Sequence, residues 1–277
     1  MTSLTLTATL PPATGRAGIG GALRSEWTKI RTVRSTVWSL VAMAGITIGV
    51  MSLISWLRIG RGWATLPPDE QFNVQHNPLE LILSRPFQIA QLAVAVLGVM
   101  VMSSEYTTGM IRSTLQSQPR RMTVFTAKVA VFTVLMLVVG EVLSFIAFFI
   151  GKAIISGHVT VGLSDPGVLR AVFGAGLYVA ILGLFSLAFG AILRHTAGAI
   201  TAVLGLILIL SQLTGLLPYS WGHHINAWMP TNAGGLIFEP HVDPTELLSA
   251  WQGLAVFAGW TVLLLVLGAY LLRKRDA

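Results

Sequence analysis

The sequence predicts an all-α polytopic membrane protein with six transmembrane helices preceded by an N-terminal interfacial helix. Three observations carry this: an apolarity beyond what a soluble surface tolerates, six apolar runs of membrane-crossing length, and charges that alternate in sign from one side of those runs to the other. Of the 277 residues, 54% are hydrophobic and only 10% charged, with a mean hydropathy of +0.74. Lipid is the solvent such a composition fits. The absence of cysteine excludes disulfides, Cys-ligated zinc and Cys nucleophiles. A net charge of +7 and a pI near 10.4 suit either nucleic acid or cytoplasmic loops of a membrane protein, and the placement of the charges decides.

Residues 1–20 lack a basic start followed by an apolar stretch and a cleavage site, so they read as a mobile cytoplasmic tail rather than a signal peptide. In residues 21–36, Leu23, Trp27, Ile30 and Val33 recur at helical spacing with basic residues over much of the remaining surface. That is the pattern of a helix lying in the inner interface. The alternative is a solvated basic flank; Trp27 and Ile30 argue for burial. Residues 37–277 form one six-span domain. A hydrocarbon core of about 30 Å needs roughly 20 apolar residues as helix, and such runs occur at 37–57, 87–104, 124–150, 168–193, 197–217 and 251–272. The second begins at Pro86 and carries Gln88 and Gln91 in its first turns, while the third and fourth are long enough to tilt or extend beyond the lipid.

Lys and Arg near the spans set orientation. With a cytoplasmic N-terminus, the inner face takes the basic flank up to Arg34, then Arg112, Arg120, Arg121, Lys128, Arg194 and the cations from Arg273 to Arg275. The outer face keeps Arg58, Arg61, Arg85, Lys152 and Arg170, and takes most of the acids: Asp69, Glu70, Glu80, Asp165, Glu239, Asp243 and Glu246. Both termini are therefore expected in the cytoplasm. Basic residues spread along one face without aromatic interleaving or a binding motif argue against a nucleic-acid partner, and none is expected.

No GxxxxGK[ST] loop occurs, so the chain does not cradle ATP in the P-loop manner, and HExxH and GxSxG are absent. His223, His224, His241 and Asp243 share one loop, but adjacent helical residues point about 100° apart, and no metal site is expected. Glu141 lies inside the third span, where an ionisable side chain costs roughly 2.5–3.5 kcal/mol on insertion scales. It lines a pathway or makes a structural polar contact, with Arg170 as the nearest candidate partner. Glycines such as Gly45, Gly49, Gly174, Gly176, Gly183 and Gly190 permit close helix approach.

Two stretches, SEWTKIRTVRSTVWSL before the first span and SSEYTTGMIRSTLQSQPRR between the second and third, resemble the permease subunits of type-2 ABC exporters. The family pattern of Glu, three intervening residues, Gly, an aliphatic residue, Leu and a Pro with Arg maps onto Glu105, Gly109, Ile111, Leu115, Pro119 and Arg121; Met110 replaces the usual Thr. The resemblance implies an ATPase-coupling helix in this loop and a re-entrant outer hairpin between spans five and six. Pro218, Tyr219, Trp221, Trp228, Pro230, Gly234 and Gly235 suit such a hairpin, or a loop resting on the membrane. It further implies ABC ATPase subunits as partners, which bring ATP and Mg, and a second permease copy or a paralogue. The chain itself would bind no cofactor and catalyse nothing. Export of an amphipathic drug, peptide or lipid across a bacterial inner membrane is the expected function. The alternatives are an ATP-independent transporter or a membrane assembly scaffold; an intramembrane enzyme lacks a nucleophile-and-base constellation.

Overall fold

A computed structural model describes residues 18–60, 62–110 and 121–274, and these are helical with no strand among them. Six helical segments are long and apolar enough to cross a membrane, the build of a multi-pass membrane protein. Helices satisfy every backbone donor and acceptor internally, which lipid requires.

Helix α1 (Ile19–Thr32) stops at Val33, whose backbone is extended, and α2 (Arg34–Ser55) begins at once. The predicted 21–36 helix therefore breaks earlier than expected, because the extended backbone of Val33 separates α1 from the first span. A π turn (Trp56–Gly60) closes α2, and α3 (Pro68–His76) lies in the following loop. A second π turn (Glu80–Ser84) runs directly into α4 (Arg85–Thr107). Pro86 thus does not start the second span. The Arg85 N–H bonds to the Glu80 carbonyl, five residues back, and this wider turn accommodates a proline ring that would clash with a regular α-turn before it.

Helix α5 (Arg121–Ile155) has 35 residues, about 52 Å at 1.5 Å per residue, longer than a hydrocarbon core of about 30 Å. Helix α6 (Val168–Leu193) joins α7 (Thr196–Leu204) through Arg194 and His195. The fifth span is not uniform: a π turn (Gly205–Leu210) separates α7 from α8 (Ser211–Thr214). Short helices α9 (Tyr219–Ala227) and α10 (Pro230–Gly235) precede α11 (Ala250–Lys274). They occupy the segment expected to form the hairpin.

Helices α4 and α6 form the centre, with 56% and 67% of their most apolar windows buried, whereas the other spans bury 17–33%. Glycine brings the central helices together. A Cβ at Gly190 would lie 2.8 Å from the Val99 carbonyl oxygen of α4, and one at Gly140 of α5 would lie 2.7 Å from the Gly176 carbonyl oxygen of α6. Tyr178 donates to Gln91 Oε1 at 2.9 Å between α4 and α6, a buried neutral pair. The end of the bundle carrying α1, the last turn of α4 and the first of α5 is called the basic face below; the end carrying α3 and the segment after α10 is the acidic face.

Candidate functional site

The buried face of α1 runs through Ala22, Glu26 and Ile30, one residue out of step with the predicted stripe. Ile30 is buried and Leu23 half-buried as that stripe requires, but Trp27 is 43% exposed. Glu26 takes the inward position because two lysines meet it there. Its Oε2 accepts from Lys128 Nζ of α5 at 2.5 Å, and its Oε1 from Lys29 Nζ at 2.7 Å. Glu105 Oε1, in the last turns of α4, accepts from Lys128 at 2.9 Å and Lys29 at 2.8 Å. Two carboxylates and two ammonium groups thus tie three segments together with no net charge.

The side chains of Glu26, Lys128 and Glu105 are 3%, 4% and 7% exposed and that of Lys29 22%. Removing four charges from water is costly, and only mutual pairing offsets it. Burial works against the Lys29 ammonium, but the hydrogen bonds and charges of Glu105 and Glu26 outweigh it and hold its pKa above the ordinary 10.5. Glu105 Oε2 is buried without a hydrogen-bond partner among the described residues. A pocket of 190 Å³ lies beside the cluster, walled by Ile30, Val33, Thr36, Val101 and Met110 as well as the charged groups.

This pairing corrects the expected loop boundary. Helix α4 continues through Glu105 to Thr107, because Glu105 is neutralised rather than solvated. Gly109 then adopts φ +70°, a left-handed turn that explains a glycine at that position. Met110 is 43% exposed. Ile111, Leu115 and Pro119 of the expected coupling helix lie outside the described residues. Arg121 opens α5, and its Nη1 donates to the Leu272 carbonyl at 3.4 Å, joining the start of α5 to the end of α11. Nearby, the Arg194 guanidinium stands 5.1 Å from the centre of the Tyr106 ring.

Glu141 and Arg170 do not pair. Helices α5 and α6 are neighbours, but Arg170 donates to the carbonyls of Glu239 and Pro240 at 2.6 and 3.0 Å. Both carboxyl oxygens of Glu141 are buried without a hydrogen-bond partner among the described residues. Its carboxyl group occupies the space left by Gly176, where a Cβ would stand 2.6 Å from Oε1. The expected partner fails on position: Arg170 lies six residues, about 9 Å of helix rise, before the glycine that Glu141 covers.

Sequence reasoning missed Glu26, Lys29 and Lys128 as a linked group. The Glu26–Lys29 spacing, three residues on one helix face, and a lysine inside the apolar third run are the available signals. No histidine, aspartate and glutamate grouping suited to a metal ion occurs among the described residues. No family model matches the chain, and no curated protein matches it as a relative.

Proposed function

We propose that this chain is the membrane-spanning subunit of an ATP-driven exporter, working as a dimer with a second copy or a paralogue and driven by separate ATPase subunits. The four-charge cluster is the observation that supports this reading. It joins the helix before the first span to the corner between the second and third, the two places where the type-2 ABC permease resemblance lies. A conformational change needs a contact whose free energy differs between states. A partner on the basic face that moves α1 or the last turn of α4 acts through this cluster on α4 and α5 together. In this reading the basic face is cytoplasmic and the membrane is the bacterial inner membrane. Helix α1 lies in the interface, and α9 and α10 form the re-entrant outer hairpin. The cargo is an amphipathic drug, peptide or lipid recognised within the bilayer, since the loops are too short to build a large outer domain.

The test is co-purification with an ABC ATPase, sought first in the neighbouring reading frame, together with substrate-stimulated ATP hydrolysis. The wild-type chain should retain the ATPase and stimulate it. Leu115→Asp should insert normally but release the ATPase, because an unpartnered carboxylate then enters the contact. Failure of the wild-type chain to associate overturns the exporter reading, whereas full association by Leu115→Asp overturns only the role of the loop.

A further inference from the structure

The charge cluster settles what the outer face of α1 carries. Glu26 is the only acid between residues 18 and 60, and it points inward, held by Lys29 and Lys128. The remaining cations of this segment are therefore left without an acid beside them. Arg24, Arg31 and Arg34 are exposed, and their side chains make no ion pair among the described residues.

These arginines are not scattered. At about 100° per residue, Trp27, Arg31 and Arg24 fall within about 60° of arc, each about 100° or more from Glu26. Trp27 is 43% exposed on this stripe. Arg34 follows at once as the first residue of α2. Four residues further, about 6 Å of helix rise, Trp38 is 70% exposed, flanked by exposed Val37 and Val41. An indole exposed at the start of an apolar span belongs at the headgroup level, where its ring meets hydrocarbon and its N–H meets water. Arg34 and the end of α1 stand just on the polar side of that level. The surface thus passes from cation to exposed hydrocarbon within about one turn, which favours a lipid over an acidic protein as its cover.

We propose that the outer face of α1 binds the phosphate groups of anionic phospholipids, with Arg24, Arg31 and Arg34 pairing to phosphate and Trp27 entering the headgroup layer beside them. A guanidinium meets phosphate oxygens in pairs through its planar fork of donors, and its apolar stem lies along hydrocarbon while the head reaches the phosphate. The ion pairs behind α1 hold it to α4 and α5, so the stripe is presented in one orientation. The inference rests on the placement of α1 in the interface given under the proposed function, and needs neither the ATPase nor the cargo.

The absence of cysteine admits a single reporter. Thr28 is exposed on α1, and its hydroxyl donates to the Arg24 carbonyl of the same helix, so a fluorophore on Thr28→Cys leaves the packed face untouched. The protein is held in phosphatidylcholine nanodiscs with a minor share of a phospholipid bearing a nitroxide quencher high on its acyl chain, either phosphatidylglycerol or phosphatidylcholine. A cation at an anionic membrane surface strengthens attachment roughly fivefold. Three arginines should therefore give the phosphatidylglycerol probe an advantage on the order of 100-fold at low salt. Arg24→Gln and Arg31→Gln should each cut that advantage roughly fivefold, and about 1 M salt, with a Debye length near 3 Å, should remove most of it. Lys152→Gln, at the far end of α5, takes away the same charge and should change nothing. Equal quenching by the two probes, or an advantage that both arginine variants keep in full, overturns the inference. Quenching too weak to measure with either probe also overturns it, by taking α1 out of the interface. No ATPase is present, so none of these results decides the exporter reading.

Discussion

Replacing Lys128 by Met keeps the length of the side chain and removes the charge that holds both acids. Lys128 bonds to Glu26 at 2.5 Å and Glu105 at 2.9 Å with its side chain 4% exposed. Its loss leaves two buried carboxylates to share Lys29. Breaking a buried pair by removing one member costs about 3–5 kcal/mol, and the cost should appear first as undocking of α1, which the pair holds to α5. The substitution Ala22→Cys, at a position 3% exposed on the packed face of α1, places a thiol that reports this locally. Its modification rate should rise by a factor of about 100 or more for a loss near 3 kcal/mol, since each 1.4 kcal/mol is tenfold. The compensating double variant, Glu26→Leu with Lys128→Met, leaves the Lys29–Glu105 bond at 2.8 Å. It should recover most of the loss, with a coupling energy of about 2–3 kcal/mol. Lys128→Met within about 0.5 kcal/mol of the parent, or single effects that simply add, would refute the account of the cluster as a mutually dependent unit.

Two further outcomes follow from the same geometry. The pKa of Lys29 is raised in the folded protein, so its contribution is complete below the unfolded value near 10.5 and is lost as pH rises through the folded value; labelling of the Ala22→Cys thiol, corrected for its own ionisation, should therefore stay flat around neutral pH and climb only above about pH 10.5. Because neither oxygen of Glu141 has a hydrogen-bond partner among the described residues, Glu141→Gln should leave thermal stability unchanged or raise it by up to about 1 kcal/mol, and a marked loss of stability in nanodiscs would show that the carboxylate has a structural partner.

The spans are legible in the sequence because apolar length is a local property, and all six runs reappear as helices. Their finer shape is not. Pro86 reads as a start signal in one dimension, whereas a π turn lets the helix pass through it. The stripe on α1 reads one residue off because Glu26 counts as polar in any periodicity; only contact with Lys128, 102 residues away, turns that carboxylate inward. The Lys29–Glu105 bond spans 76 residues, again beyond any local pattern. Gly109 stands out in the sequence only through a family resemblance, and its positive φ gives it a physical reason. The Glu141–Arg170 pairing rests on helix adjacency, which holds, without the axial offset, which defeats it.

The charge cluster and the acidic face share one element. Helix α4 carries Glu105 at the basic face and begins with Arg85 at the acidic face, where Glu80 and Ser84 lead into it. This continuous 28-residue segment from Glu80 to Thr107 is about 42 Å long at 1.5 Å per residue. At the basic end, α4 is tied to α1 and α5 by ion pairs, and α5 to α11 through Arg121. At the other end, Asn77 and Arg170 both bond to Glu239, one at the carboxylate and one at the backbone, so the lead-in to α4, the first turn of α6 and the segment after α10 are tied together. Between the ends, α4 packs along α6 with glycines in contact, a surface that permits sliding poorly but transmits displacement well, since close-packed interiors deform little. The π turn is the irregularity in this rod, and it sits at the acidic face rather than at the charge cluster. The charge cluster and the irregular turn therefore stand at opposite ends of one continuous helical segment, whose middle is fixed by close packing on α6.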